Sequence, residues 1–289
     1  MIRRGFRRLN KALSEFFFID QWVIMTAARM EIESLQWSGF RPIIPPPDRY
    51  WADPFVIKRD DHYYVFIEEK IYTKGRGHIS YQILDSDGNL QSTQTVLERP
   101  YHLSYPFLFE FGGELFMLPE TAQNRTLDLY RCTRFPDQWE YTQSLMRDVY
   151  AVDATLLEHD GKWWLFANIK EGESGSSLDR LFLFYADTPL TGDWTPHPLN
   201  PVVDDIKSSR PAGRILARPD GLIRPSQDSS RRYGYAMNFN RITRLSPTEY
   251  EESRMARMEP PRSRHILAVH TYNQAGELSF IDAVVRRRR

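Results

Sequence analysis

Apolar runs broken by tight polar turns recur along the chain. Four segments each combine an apolar run, a polar turn and a second apolar run; they span residues 53–68, 105–120, 153–168 and 212–228. Turn pairs such as Gly112-Gly113 and Asp160-Gly161 are typical of β-hairpins. A weaker fifth copy starts at His265 and turns at residues 274–276. The pattern therefore predicts five strand hairpins, about 50 residues apart.

Each hairpin is followed by further short apolar runs, such as residues 78–84 after the first hairpin. Four strands per repeat and five repeats predict an all-β, five-bladed β-propeller. The last repeat is too short to supply four strands by itself. We expect residues 21–26 and part of 31–36 to supply its outer strands, so that both termini close the ring. A single propeller domain is predicted over residues 20–285, with a basic tail at 286–289.

The first residues have the spacing of an amphipathic helix, which we expect over residues 1–19. Its apolar positions recur every three or four residues, and basic side chains fill much of the remaining surface. Such a helix can lie on an anionic membrane surface, or it can pack on its own domain with solvated arginines. No secretory signal follows, because the apolar run meets Asp20 at once. We expect a cytoplasmic protein, with contact to the inner membrane face as one alternative.

Composition places the chain among ordinary globular proteins, with 41% hydrophobic and 26% charged residues. A single cysteine, Cys132, excludes a disulfide scaffold. The formal net charge is zero, but nine basic residues stand before Glu15 and at the last four positions. Without those nine, the remainder has 29 basic and 38 acidic residues. A body of that sign is a poor duplex-DNA binder, so no nucleic-acid partner is expected.

Acidic residues recur at equivalent positions of the hairpins. Because a hairpin returns its two ends to the same face, five of them are expected around one end of the channel: Asp53, Glu68, Glu120, Asp153 and Asp228. Carboxylates that share a cleft cannot all ionise freely, so some pKa values should rise. Two carboxyls separated by about 6.5–9.5 Å can act as base and acid on a glycosidic bond. The alternative is that these acids only satisfy turn amides.

Aromatic and cationic residues accompany this rim. Flat rings beside carboxylates suit sugar recognition, and the candidates are Trp51, His102 and Tyr105. The fourth repeat offers groups that could hold a phosphorylated sugar, or that could pair with the acids: Arg210, Arg214, Arg224 and Gln227. His265 and His270 could face the channel and hold an ion or water. No phosphate loop, dinucleotide fingerprint or zinc pattern is present, so no cofactor or metal is predicted.

The segment Trp51-Ala52-Asp53-Pro54-Phe55 resembles the first-blade signature of the family 43 glycoside hydrolases, which are five-bladed propellers. That resemblance implies that Asp53 is a general base and that Asp153 orients the acid and tunes its pKa. The fourth blade departs from the pattern, because Pro211-Ala212-Gly213 stands where those hydrolases have an acidic Glu before a Gly. A replacement acid would then be Glu120 or Asp228.

A longer set of motifs is similar to the N-terminal propeller domain of plant glucosamine inositolphosphorylceramide transferases, over about residues 20–285. The motifs are Trp51-Ala-Asp-Pro-Phe55, Leu103-Ser-Tyr-Pro-Phe107, Leu118-Pro-Glu-Thr121, Asp153-Ala-Thr-Leu156, Arg210-Pro-Ala-Gly213, Arg224-Pro-Ser-Gln-Asp228 and Tyr233-Gly234. This resemblance implies intracellular glycan or glycolipid assembly, and bacterial proteins share the domain. The separate glycosyltransferase domain of the plant proteins is missing from this sequence.

Two functional hypotheses follow. In the first, the chain is an enzyme that makes or breaks a glycosidic linkage, in bacterial surface-glycan synthesis, on a sugar, phosphorylated sugar or glycolipid. In the second, it is a non-catalytic carbohydrate-binding or scaffold propeller that works with a separate glycosyltransferase. Two carboxyls that face open space would favour the enzyme, and acids held by arginines would favour the scaffold.

Overall fold

The computed structural model describes residues 18–262 and 265–288, which form five antiparallel sheets arranged as the blades of a propeller. This confirms the predicted all-β, five-bladed fold. Within the described residues there is no α-helix, only four short 3-10 turns, at Ile32–Ser34, Trp37–Gly39, Tyr72–Lys74 and Ala122–Asn124. The helix was predicted over residues 1–19, and the first 17 of these lie outside the described residues.

Blades 1 to 3 follow one another along the chain, each from its inner to its outer strand. Blade 1 consists of β3 (Arg49–Arg59), β4 (His62–Ile71), β5 (Gly77–Leu84) and β6 (Leu90–Leu97). Blade 2 consists of β7 (Ser104–Phe111), β8 (Glu114–Glu120), β9 (Thr126–Arg134) and β10 (Gln138–Arg147). Blade 3 consists of β11 (Ala151–His159), β12 (Lys162–Ile169), β13 (Arg180–Ala186) and the short β14 (Thr195–Pro196) and β15 (Val203–Asp204).

Blade 4 repeats this order, and blade 5 combines the two ends of the described chain. Blade 4 consists of β16 (Leu216–Arg218), β17 (Gly221–Asp228), β18 (Ala236–Leu245) and β19 (Tyr250–Met258). Blade 5 consists of the inner strands β20 (Ile266–Ala268) and β21 (Tyr272–Ala275), then β22 (Leu278–Arg288), β1 (Phe18–Ala28) and β2 (Arg41–Ile43).

Ring closure rests on one long antiparallel pair. Strand β1 pairs with β22 over its full length, from Phe18 opposite Arg288 to Ala28 opposite Leu278. The prediction that residues 21–26 join the last blade is therefore confirmed. The prediction for residues 31–36 is wrong, because that segment contains a 3-10 turn and the outermost strand is β2.

The strand pair also moves the expected domain boundaries. Residues 18 and 19, assigned from sequence to the helix, belong to β1. Arg286, assigned to a tail, pairs with Asp20 through two hydrogen bonds of 2.7 and 2.8 Å, and β22 continues to Arg288. The propeller therefore includes residues 18–19 and 286–288. The backbone pairing of β1 with β22 extends beyond the apolar residues from which the domain boundaries were predicted.

Apolar side chains fill the spaces between neighbouring blades, where alternate residues of each strand face the next sheet. Phe55, Phe66 and Phe107 are fully buried between blades 1 and 2. Each fully buried Phe side chain contributes roughly 1.5–3 kcal/mol of transfer free energy. No helix among the described residues has the length and apolar character needed to cross a bilayer.

The inner strands of three blades carry the same irregularity near their first residues. Asp53, Tyr105 and Asp153 each have left-handed backbone geometry, with φ of 52°, 45° and 51°, and a β-bulge interrupts the pairing there. Such bulges re-aim side chains. In blade 4, Gly213 has φ of 121° and a Cβ there would meet the Tyr272 carbonyl oxygen at 2.1 Å. Only glycine allows that approach of blade 5.

Candidate active site

Asp53 lies at the junction of blades 1, 2 and 5 and is only 5% exposed. Its Oδ2 accepts a hydrogen bond from the Tyr105 amide at 3.1 Å, and its Oδ1 accepts one from the Thr271 hydroxyl at 3.0 Å. Burial raises its pKa to about 6, partly offset by the charge of nearby His270. Asp53 is therefore mainly a carboxylate at pH 7, and it is a stronger base than a solvated aspartate.

His270 is held as an imidazolium beside Asp53. Its Nδ1 lies 2.7 Å from Asp282 Oδ2, and its Nε2 lies 3.7 Å from Asp53 Oδ1. The pKa of His270 rises to about 9, because the charges of Asp282 and Asp53 outweigh desolvation by burial. Trp22 of β1 stacks on the ring with centroids 4.0 Å apart. The result is a fixed positive charge under the acidic rim.

Asp153 occupies the equivalent bulge of blade 3, where two side chains hold it. Arg210 Nε donates to its Oδ2 at 2.6 Å, and Gln227 Nε2 donates to the same oxygen at 2.9 Å. Arg210 also approaches Glu120, with Nη2 3.7 Å from Oε2. One buried guanidinium thus serves two carboxyl groups of neighbouring blades.

Glu120 is the acid that this arrangement leaves least satisfied. Its Oε2 is buried and makes no hydrogen bond among the described residues. Burial and the neighbouring Asp153 charge raise its pKa well above the ordinary value, and Arg210 only partly opposes this. This environment favours the protonated form of Glu120, which could act as a proton donor.

Glu68 is a second acid with a raised pKa, about 8, caused by burial and by the charge of Asp53. Tyr50 donates its hydroxyl to Glu68 Oε1 at 2.7 Å. His102 Nε2 lies 3.3 Å from the same oxygen, while its Nδ1 accepts the Gly77 amide at 2.9 Å. Burial lowers the pKa of His102 to about 4, so the neutral ring carries its proton on Nε2 and donates to Glu68.

Tyr233 covers the rim, although only the pair Tyr233-Gly234 drew attention to it in the sequence. Its ring lies 5.1 Å from the Arg210 guanidinium carbon and 5.4 Å from the His270 ring. Burial and the charges of Asp153 and Asp53 raise the pKa of its hydroxyl, although Arg210 opposes this. Tyr233 as a whole is 43% exposed, so one part of the ring faces solvent. It is therefore a sugar-stacking candidate.

Trp22 is another rim residue that the sequence did not identify. It stacks on His270 and makes an edge contact with Tyr233 at 6.5 Å. Only the pairing of β1 with β22 brings it there, since it lies more than 200 positions from both in the chain. No local motif could have indicated this position.

Two predicted sugar contacts are structural instead. Tyr105 is fully buried in the channel, where its hydroxyl lies 2.8 Å from Thr155 Oγ1 and accepts the Gly213 amide at 2.9 Å. Trp51 packs in the core and donates its indole N–H to Glu69 Oε1 at 3.1 Å. Neither ring offers a free face, so their assignment as substrate-binding residues is wrong.

Two predicted site residues of blade 4 are bound within that blade. Arg257 Nη2 donates to Asp228 at 2.7 Å, and the pKa of Asp228 is lowered because its hydrogen bonds with Ser230 and Arg257 outweigh desolvation. Asp228 therefore cannot serve as the replacement acid. Arg224 is buried and forms a two-point pair with Glu252 at 2.6 and 2.8 Å, so it does not reach the rim.

Arg214 and His265 also lie away from the rim. Arg214 points toward the opposite end of the channel, where it contacts the Leu108 carbonyl. His265 is exposed just before β20, and its carbonyl accepts the Arg286 amide at 2.7 Å. Both were predicted at the site because they lie close in sequence to the start of the fourth or fifth hairpin. In the structure their side chains do not face the acidic rim.

The described residues include one group whose atoms could hold an ion, formed by Asp53, His270 and Asp282. Their ligand atoms lie within 4.8 Å of one another. A metal there would need the neutral imidazole and would compete with the proton that Asp282 and Asp53 stabilise on His270. The sequence expectation of an ion near His270 stays a prediction.

Eight of the predicted site residues therefore meet at one rim: Asp53, Glu68, His102, Glu120, Asp153, Arg210, Gln227 and His270. Their environments separate their protonation states. Asp53 is mainly ionised at pH 7 and Glu68, with a pKa of about 8, is mainly protonated, while burial raises the pKa of Glu120 well above its ordinary value. A base and proton donors in one cluster can support acid–base chemistry.

Known proteins resemble this chain in sequence over most of its length. Residues 44–267 match the family model described as "Glucosamine inositolphosphorylceramide transferase 1, N-terminal". A rice protein, glucosamine inositolphosphorylceramide transferase 1 of Oryza sativa subsp. japonica, is 34% identical over 209 residues, which are 71% of this chain and 28% of the rice protein. The Arabidopsis thaliana protein of the same name is 32% identical over 231 residues, or 76% and 30% of the two chains.

The chain thus spans less than a third of these curated relatives. Both come from plants and give no support to the bacterial source expected from the sequence. The match to the family model nevertheless covers blades 1 to 4 in full, from β3 to β19. It therefore includes the whole hydrogen-bonded rim except the contributions of blade 5.

Solved structures with the same fold include glycoside hydrolases. A family 117 glycoside hydrolase of Zobellia galactanivorans has a TM-score of 0.57 and 12% identity, with 93% of this chain and 91% of that chain covered. An exo-1,5-α-L-arabinanase from a bovine ruminal metagenomic library has a TM-score of 0.53 and 14% identity, with 82% and 92% covered. These likenesses support the fold alone. By its sequence, the chain belongs to the family of the N-terminal domain of glucosamine inositolphosphorylceramide transferase 1.

Proposed function

We propose that this propeller acts on a glycosidic linkage of a glycan or glycolipid, with Asp53 as base and Glu120 as proton donor. One observation carries the proposal: within one rim, Asp53 is mainly ionised at pH 7, while burial and Asp153 raise the pKa of Glu120 well above its ordinary value and so favour its protonated form. Opposed protonation states of two carboxyls are what acid–base cleavage or formation of a glycosidic bond needs.

The surrounding residues would orient this pair. Arg210 and Gln227 fix Asp153, whose negative charge raises the pKa of Glu120. His270 supports the negative charge of Asp53. The exposed part of the Tyr233 ring would stack on the apolar face of a sugar. Because Arg210 is occupied by two acids and Arg214 and Arg224 lie elsewhere, a phosphorylated sugar is not favoured at this rim.

The name of the plant relatives points to transfer of a sugar to a glycolipid. We extend this to the present chain as a proposal, since it matches only their N-terminal part. The activity would belong to glycan or glycolipid assembly inside the cell, at an anionic membrane face that residues 1–17 would contact. A substrate screen must identify the sugar and the linkage.

The test is a turnover assay with sugar nucleotides and oligosaccharides, in which product release is followed for the wild type and for Glu120→Gln. The amide cannot donate the proton, so the rate should fall by about 10²–10⁴. Asp228→Asn is the matched control, because Asp228 ends the equivalent hairpin of blade 4 but is held by Arg257. An equal loss in both variants would contradict the role of Glu120.

A non-catalytic sugar-binding role is the second candidate, favoured by the bonding of the two aspartates. Asp53 accepts hydrogen bonds on both oxygens, and Asp153 is held by Arg210 and Gln227. Acids engaged in this way can be structural. Sugar binding without product release, and with unchanged affinity in Glu120→Gln, would support this candidate over the enzyme.

A further inference from the structure

Arg214 lies between two clefts on the face of the propeller opposite to the acids. The larger cleft, about 550 Å³, is lined by Arg29, Arg214 and Arg218 and by the hairpin turns at Pro219 and Gly276. The smaller one, about 280 Å³, is lined by Arg214 and by residues 108–110 of β7. These turns and residues lie at the ends of the inner strands away from Asp53. Arg214 therefore faces solvent-accessible space on a second surface.

The Arg214 guanidinium has few partners for its five N–H donors. Its Nη2 donates to the Leu108 carbonyl at 2.5 Å, and its carbon lies 5.1 Å from the Phe107 ring centroid. Among residues 18–262 and 265–288, no carboxylate lies within 4.0 Å of its guanidinium nitrogens, although Glu110 lines the smaller cleft and its charge partly opposes the effect of burial on the pKa of Arg214. Burial lowers its pKa because the charged form loses hydration. Partly buried cations of this kind are stabilised by an anion that restores the lost hydrogen bonds.

Positive charge prevails in the larger cleft, where three arginines face one acid, Glu31. Arg218 is already neutralised, since it pairs with Glu31, Glu33 and Asp220 at 3.2–3.4 Å. Within the described part of the chain, the Arg29 side chain makes one hydrogen bond, a long one of 3.4 Å to the Gly276 carbonyl. The unneutralised charge therefore comes from Arg29 and Arg214.

We propose that this cleft is a second binding site that takes a phosphate-bearing ligand through Arg214 and Arg29. The planar fork of arginine matches phosphate oxygens in two-point contacts. The site differs from the acidic rim in position and in charge, and it does not depend on the chemistry proposed there. It accounts for an arginine that the rim does not use and whose contact within the fold, to the Leu108 carbonyl, is made through Nη2.

The test is calorimetric titration of the full chain with inorganic pyrophosphate at low ionic strength. Arg214→Gln should weaken binding by about tenfold or more, which corresponds to one lost charge-assisted contact. Arg29→Gln, at an exposed position, should weaken it by about threefold to tenfold and provides a variant that does not disturb the interior. Arg241→Gln is the matched control, because it removes a charge near the same turn but from a residue paired with Asp220.

A second arm separates the sources of phosphate. Phosphatidylcholine vesicles with and without phosphatidate are compared for the wild type and Arg214→Gln, which share the same basic N-terminus. If Arg214→Gln weakens binding to phosphatidate vesicles but not to pyrophosphate, the ligand is a lipid headgroup. If it weakens binding to pyrophosphate, the ligand is a soluble phosphate. The proposal is overturned if neither ligand distinguishes Arg214→Gln and Arg29→Gln from Arg241→Gln. Glu120→Gln should bind pyrophosphate like the wild type, so failure of the rim chemistry would leave this result unaffected.

Discussion

Arg210 Nε lies 2.6 Å from Asp153 Oδ2, and this contact joins blade 4 to blade 3 beneath the acidic rim. Arg210 is 7% exposed and Asp153 is 2% exposed. The same guanidinium lies 3.7 Å from Glu120 of blade 2. Three blades therefore depend on one positive charge, and without it two buried carboxyl groups would face each other.

Arg210→Ala should destabilise the protein by about 3–5 kcal/mol, because it leaves buried carboxyl groups without their partner. Urea unfolding at pH 7 measures the change in the free energy of unfolding. Arg241→Ala is the control, since its pair with Asp220 is partly exposed and should contribute only about 0–1 kcal/mol. A loss below about 1 kcal/mol in Arg210→Ala would show that water or rearrangement satisfies Asp153 instead.

Adding Asp153→Asn to Arg210→Ala checks the cause of that loss. The amide removes the unpaired charge, so the double variant should recover part of the stability that Arg210→Ala loses. The two changes should be non-additive, as expected for residues in direct contact. Additive losses would mean that the two side chains stabilise the fold independently.

The repeat of hairpins was visible in the sequence because each blade forms from residues close together in the chain. Asp53 and Asp153 could be assigned to one rim for the same reason, since each stands at the same point of its repeat. The side chains that pair with these acids could not be predicted in this way. Asp228 of β17 is bound to Arg257 of β19, two strands away in its own blade, a pairing that no spacing rule specifies.

Contacts across the ring were the least accessible to sequence reasoning. Trp22 reaches His270 only because β1 pairs with β22. Arg214 follows Arg210 by four residues, yet it points to the opposite face, because the chain turns at Gly213 with φ of 121°. A residue type can be read from the repeat, but the direction of its side chain depends on backbone geometry that this sequence does not reveal.

Glu68 should contribute stability that is lost as the pH rises from about 4.5 to 8. Its pKa is about 8 in the folded protein against an ordinary value of 4.5, so the unfolded chain releases this proton at lower pH than the folded one. Deprotonation therefore favours unfolding over this interval. Glu68→Gln should remove that slope, which is at most about 1.4 kcal/mol per pH unit.

Urea unfolding at pH 5, 6, 7 and 8 measures this effect as the difference between Glu68→Gln and the wild type. The variant should gain stability relative to the wild type as the pH rises. Glu114→Gln, at an exposed position on the opposite face, is the control for the substitution itself. The His270–Asp282 pair acts in a different window: its stabilisation is complete below about pH 6.5 and is lost as the pH rises through 9. A constant difference between Glu68→Gln and the wild type would contradict the raised pKa of Glu68.

The basic N-terminal segment should bind anionic vesicles in a salt-sensitive way. Residues 1–17 contain five basic side chains before the first acid, on the polar positions of a helical pattern. Removal of these residues should abolish sedimentation with phosphatidylserine-containing vesicles at low salt. A full-length variant with Arg3, Arg4, Arg7 and Arg8 changed to Gln separates charge from helix formation. Equal sedimentation of the truncated and complete chains would exclude this segment as the membrane contact.

Asp53→Asn should abolish turnover while leaving the fold intact. Asparagine tolerates the left-handed backbone at this position, where φ is 52°. Its amide oxygen can accept the Tyr105 amide, and its NH₂ group can donate to the Thr271 hydroxyl, so both contacts of the native side chain are replaced. The base is lost, which should reduce the rate by about 10²–10⁴. Circular dichroism and thermal melting check the fold, and stability should change little because one charge leaves a crowded acidic rim. Unfolding of the variant would make Asp53 a structural residue, and unchanged turnover would exclude it as the base.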